Sequence, residues 1–227
     1  MVVPLFLVVA LLTAATPAPE PTAASSTPLK EIGHVYSNGA CTAIVVRANS
    51  AISSALRNDQ TMTLMVASLR TVNLDSPNKL ERLNGRTQLE RYAADLRQSA
   101  VHAMAEVKQL RKLADESVDP VRKAELKDFA DALAGALGRQ QKVGADLQGM
   151  LVRIAGRESR VDVWQQMTKT SPELTPPWPD YSDVHFDTSV YNKMAVNEAQ
   201  YVELQVPSIQ DDESHAADHV IGAVNGC

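Results

Sequence analysis

Residues 89–114 read LERYAADLRQSAVHAMAEVKQLRKLA, and residues 126–154 read LKDFADALAGALGRQQKVGADLQGMLVRI. In the first stretch Leu89, Ala93, Leu96, Ala100, Ala103, Val107, Leu110 and Ala114 recur at alternating spacings of four and three. Leu126, Phe129, Leu133, Ala136, Gln140, Val143, Leu147, Met150 and Ile154 repeat that rhythm in the second. Such spacing places the apolar side chains on one stripe of an α-helix. Between the stretches lies DESVDP, residues 115–120, a polar break in which Asp119 suits a helix cap and Pro120 the first helical position. The expected architecture is an all-α helical bundle built on a long antiparallel helical hairpin, with arms at about 77–115 and 120–166.

The second arm has a wider apolar face than a coiled-coil seam, because Ala130, Leu137, Gly144 and Leu151 add a third column. Three apolar positions in seven suit a helix with two or more partners. Beside that face run Ala134, Gly138, Ala145, Gly149 and Gly156, a small-residue column that reads either as a site of close backbone approach or as tolerated drift on a solvent face. Gln140 interrupts the core rhythm. It either sets register and partner choice or sits where the bundle opens to water.

Outward from the hairpin the pattern predicts shorter helices. Ile44, Ala48, Ala51 and Ala55 define one apolar face, which Asn58-Asp59 is expected to break, with Asp59 capping a second helix through Met62, Met65 and Leu69. Ser76-Pro77 is expected to open the first hairpin arm. Leu80 and Leu83 lie out of phase with the later heptad, which places a stutter or kink near Gly85. After Trp164 the rhythm dissolves into a proline-rich connector, residues 170–186, containing Pro176, Pro177, Trp178 and Pro179. Two C-terminal helices follow over 187–226, the first capped by Asp187-Thr188 and separated from the second by Pro207-Ser208.

Met1–Ala15 is apolar and uncharged, too short to span a bilayer comfortably, and ends in small residues at Thr13-Ala14-Ala15. It reads as a signal peptide cleaved after Ala15. No Lys or Arg precedes the apolar run, so either Met1's amino group supplies the charge or the true start lies upstream. Residues 16–28, TPAPEPTAASSTP, hold no large apolar side chain and read as a disordered tether to a single helical domain at 29–227. The protein is therefore expected to be exported, periplasmic or secreted, with no membrane span in the mature chain. Its only two cysteines, Cys41 and Cys227, point to one disulfide. The chain-entropy contribution of so large a ring is roughly 4–5 kcal/mol at most. An intermolecular bond and two free thiols are the alternatives.

Charge is split along the chain. Residues 30–160 carry 20 Lys/Arg against 15 Asp/Glu, whereas 161–227 carry 2 Lys against 11 Asp/Glu. The simplest expectation is an acidic C-terminal region lying across a basic bundle. Nucleic-acid binding fits poorly, since the basic residues interleave with carboxylates and aromatics make up only 4% of the chain.

Chemistry-bearing patterns are sparse. His215 and His219 share a helical face with Asp211 one turn earlier, which makes the three a candidate site for zinc, copper or nickel. The inverted zinc-protease pattern fits less well, because the acid between the histidines is Asp218 rather than Glu. Trp178, flanked by prolines, and Gln140 are the candidate partner-binding residues. No cofactor is implied. The sequence thus favours a non-enzymatic helical protein acting through a protein partner or self-association. A binding module for a small ligand or metal ion is the alternative.

Overall fold

A computed structural model describes residues 27–33, 39–76, 78–170 and 189–225. Four helices account for most of them: α1 (Gly39–Thr71), α2 (Lys79–Glu116), α3 (Pro120–Thr170) and α4 (Ser189–Val224). The protein is an all-α bundle, with no strand among the described residues. The proposed leader, most of the tether, the Trp178 connector with its Asp187-Thr188 cap, and Cys227 lie outside the described residues.

The heptad faces become the core as the spacing predicts. All eight apolar positions from Leu89 to Ala114 are buried in α2, and so is the whole second series in α3, including the added column Ala130, Leu137, Gly144 and Leu151. The most extensive packing joins α2 to α3 and α3 to α4, followed by α1 against α2 and α1 against α4; α1 touches α3 less, and α2 and α4 meet least. Ion pairs record the register. Arg111, late in α2, meets Asp131, early in α3, at 2.7 Å; Arg86, early in α2, meets Glu158, late in α3, at 2.6 Å. Arg47 reaches Glu106 between α1 and α2 at 2.8 Å, and Arg70 reaches Glu203 between α1 and α4 at 2.6 Å.

Asp119 caps α3 as expected, its Oδ1 accepting from the Val121 amide at 3.0 Å. The start of α2 falls two residues later than predicted. Asn78, not Ser76, is the cap, and its side chain accepts from the Leu80 amide. Ser76 is instead buried; its hydroxyl accepts from the Asn78 amide and donates to Glu81. Leu80 and Leu83 are exposed, in keeping with their phase, and α2 runs unbroken through Gly85.

Two predicted breaks are absent. Asn58-Asp59 lies within a single 33-residue α1, and Pro207 lies within a single 36-residue α4. At Asn58 the reason is packing: its side chain is buried and bonded across the bundle, so it continues the core face. At Pro207 the helix persists because Val202 and Ile209, on either side, are both buried in the same part of the core. The proline itself is exposed, and its ring removes one amide donor from the helix at a cost of about 3 kcal/mol. Pro207→Ala should therefore raise stability by about 1–3 kcal/mol, read as a higher urea midpoint. A lower midpoint would mean that α4 needs the proline's geometry to lay both flanking turns on the core.

The small-residue column of α3 does not mediate close backbone approach. A Cβ at Gly138 or Gly156 would meet nothing within 4 Å, and one at Gly149 would touch only the Arg153 side chain. The close approach occurs at Gly144, where a Cβ would sit 3.0 Å from the Ala93 carbonyl oxygen and 3.0 Å from Leu96 Cβ. That glycine belongs to the apolar column. It lets α2 and α3 come together at the height of Ala93 and Leu96.

At the N-terminal side, residues 27–33 run without regular structure along α1, and Leu29 is buried in the core. The Asn49 side chain holds this segment by accepting from the Ile32 amide at 2.7 Å and donating to the Ile32 carbonyl at 3.0 Å.

Candidate functional site

The apolar core is divided in two. One half gathers Ile52, Ala55, Leu110, Phe129, Leu133, Leu137 and Ala216 among others; the second gathers Met62, Met65, Leu96, Val143, Leu147, Tyr191 and Ile209. The boundary falls between Ala55 and Met62 on α1 and between Ile209 and Ala216 on α4; on α3 the halves interleave just before Gln140, Leu137 facing the first and Ala136 and Val143 the second. Three polar side chains fill it. Asn58 is 1% exposed, Gln140 0% and Glu213 6%. Asp59, half-buried, completes the layer.

Gln140 is the hub. Its Oε1 accepts from Asn58 Nδ2 at 2.9 Å. Its Nε2 faces the Ala55 carbonyl at 3.1 Å, Asp59 Oδ1 at 2.9 Å and Glu213 Oε1 at 3.2 Å. With the amide reversed, its oxygen would point at three acceptors, so the hydrogen-bonding pattern fixes the orientation. Asp59 Oδ1 and Glu213 Oε1 thus both lie within 3.2 Å of one amide nitrogen, which brings the two carboxyl groups together in the layer. Two carboxyl groups gathered at one buried amide repel each other when both are charged, which favours keeping a proton on one of them.

Both carboxyl groups are pushed toward the protonated form. Burial is the main cause, and the nearby negative charges of Asp59 and Asp212 add to it, so that the Glu213 carboxyl is pushed up to about 8. Burial also raises Asp59, while the hydrogen bonds from Glu213 and Gln140 pull it part of the way back. Just outside the layer Arg139 holds Asp212 at 2.8 Å. Gly135 makes room for that carboxylate, since a Cβ there would lie 2.8 Å from Asp212 Oδ2.

Gln140 is thus a buried, bonded core residue, and no water-facing opening explains it. Asn58, Asp59 and Glu213 were not legible as a site, but a signal existed. Ile44, Ala48, Ala51, Ala55, Asn58, Met62, Met65 and Leu69 form an uninterrupted series of four-and-three spacings. Asn58 occupies a core position in it. Glu213 does the same between Ile209 and Ala216. A polar residue on a continuing apolar stripe is a core residue, not a helix end.

Of the predicted metal residues His215 and His219 are neighbours, but Asp211 does not complete a group of three with them. Among the described residues no group of three or more His, Cys, Asp or Glu is disposed to hold a metal ion. His219 Nδ1 is engaged by Glu125 Oε2 of α3 at 2.7 Å, and the His215 ring stands edge-on to His219 with centroids 4.7 Å apart. Asp211 is exposed. Gly222 belongs to the Glu125 contact, because a Cβ there would come within 2.7 Å of that carboxyl group. Helical spacing places the histidines on one face, and α3 adds a carboxylate, Glu125, that the spacing does not reveal.

The acidic C-terminal region does meet basic residues of the earlier helices, through Arg70–Glu203 and Arg139–Asp212, and Arg122 donates to the Asn225 carbonyl at 3.2 Å. No described helix is long and apolar enough to cross a membrane. Trp178 lies outside the described residues.

Compared with protein-family models, with curated proteins and with solved structures, the chain matches none.

Proposed function

We propose that this chain is an exported, non-enzymatic helical protein that works by binding another protein or by scaffolding in the cell envelope or exterior. The observation that carries this reading is where the reactive side chains go. Asp59, Gln140 and Glu213 converge, but inside the bundle and on one another, which leaves recognition to the long outer faces of the helices. Exposed apolar side chains such as Leu64, Val121 and Ile221 supply contact area on those faces.

In this reading residues 1–15 are a signal peptide, 16–28 a disordered tether, and α2 with α3 a long antiparallel hairpin. The Arg111–Asp131 and Arg86–Glu158 pairs support the hairpin, because they join opposite ends of the two helices. Cys41 and Cys227 form a staple between the first and last helices. Two facts favour it: Cys41 is buried at the start of α1, and Val224 packs in the same half of the core as Ile44 and Val45.

The test is chemical crosslinking in the producing cell, followed by intact-mass analysis of the protein with and without reduction. A crosslinked complex with a second protein, together with a chain that lacks residues 1–15 and two alkylatable sulfurs, is the expected result. A strictly monomeric, uncrosslinked chain would count against the reading.

The second reading, a binding module for a small polar ligand, rests on an open depression of about 610 Å³ at the α1–α2 turn. Ser68, Asn73, Asn78, Asn84 and Gln88 line it with amide and hydroxyl groups. A ligand-dependent rise in melting temperature would favour this reading over the first.

A further inference from the structure

The two halves of the core meet at a polar layer in which two carboxyl groups, from α1 and α4, converge on one amide of α3. Gln140 Nε2 has two hydrogens and three acceptors around it: the Ala55 carbonyl, Asp59 and Glu213. Asn58 spends a donor on Gln140 Oε1, not on the carboxyl groups. Asp59 and Glu213 thus meet at one amide nitrogen that has fewer hydrogens than acceptors, and a carboxyl proton would supply the missing one. We propose that this layer is a proton-operated latch, in which a single proton shared by Asp59 of α1 and Glu213 of α4 holds α4 in place against α1 and α3.

The groups facing the latch leave it no substitute. From α1 come Asn58 and Asp59, and from α3 Gln140. Arg139 of α3 is already paired with Asp212, the carboxylate next to Glu213 on α4. On α2 the buried residue between the two core halves is Ala100, which has no charge. Loss of the proton would set two carboxylates against each other with no cation between them. The inference does not depend on what the protein binds.

The sign follows from linkage. An unfolded Glu213 loses its proton near 4.5, whereas the folded one keeps it to about 8. Between those values the folded state holds the extra proton, so folding weakens as pH rises, by up to about tenfold in the equilibrium constant per pH unit. Glu213→Gln supplies the donor permanently, since its amide can give a hydrogen to Asp59 at any pH.

The experiment is urea unfolding of the full chain and of Glu213→Gln across pH 5 to 9, comparing the two unfolding constants at each pH. The ratio of parent to variant should climb with pH toward about tenfold per unit and level off above pH 8. Parallel curves would overturn the latch. Infrared spectroscopy of the parent protein gives a test that needs no variant to fold. A protonated-carboxyl band present at pH 7 and lost by pH 9 supports the proposal, and its absence at pH 7 overturns it.

Discussion

Gln140→Leu is expected to lower stability by about 3–5 kcal/mol, a large fraction of what holds a domain of this size together. The leucine fits the volume of the site, so packing is not the cause. The loss comes from what is left behind. Asn58 Nδ2 loses its acceptor in a place where it is 1% exposed, and Asp59 and Glu213 lose the amide hydrogens that satisfy their oxygens. Each buried polar group without a partner costs about 1–3 kcal/mol. Adding Asn58→Leu to Gln140→Leu should cost less than the two single changes together, because the second substitution removes a group that the first had stranded. Urea midpoints of the parent, the two single variants and the double variant would check this. A strictly additive cycle would mean that the two side chains do not depend on one another.

Phe129→Ala should cost about 3–5 kcal/mol through a different mechanism. Phe129 is fully buried in the core half that also contains Leu110, Leu126 and Leu133. Removing its ring forfeits the transfer energy and leaves a cavity that four long helices can only partly close. The expected signature is a fall in the urea midpoint at unchanged slope. A biphasic transition would be the informative departure. It would show that the two core halves, joined through the polar layer, are able to unfold one after the other.

The comparison of these two sites also shows where reading from the residues succeeded. Phe129 and Leu133 are placed in the core by spacing alone, since an apolar side chain at every fourth and third position has one physical destination. Asp119 and Pro120 set the start of α3 for an equally local reason, a cap oxygen and a residue that needs no amide partner. Polar residues have no such single destination. Asn58-Asp59 looks like a helix end, and Pro207 like a separator, when judged by intrinsic preference. In the bundle the energy of continuing a buried face exceeds those preferences, so α1 and α4 run through them. His215 and His219 show the same limit of local pattern. Their spacing is intrahelical, while the partner that matters, Glu125, comes from another helix.

By itself the sequence determined that the protein is all-α, which faces of α2 and α3 are buried and where the turn between them lies, because each follows from helical periodicity and from local caps. The tertiary structure alone decided that Asn58, Gln140 and Glu213 lie at one height, 82 residues apart in the first pair and 73 in the second. Their meeting depends on the register of three helices packed side by side. That register is set by ridges, by the room Gly144 gives α2, and by ion pairs such as Arg139–Asp212, contacts between residues distant in the chain that no local pattern encodes.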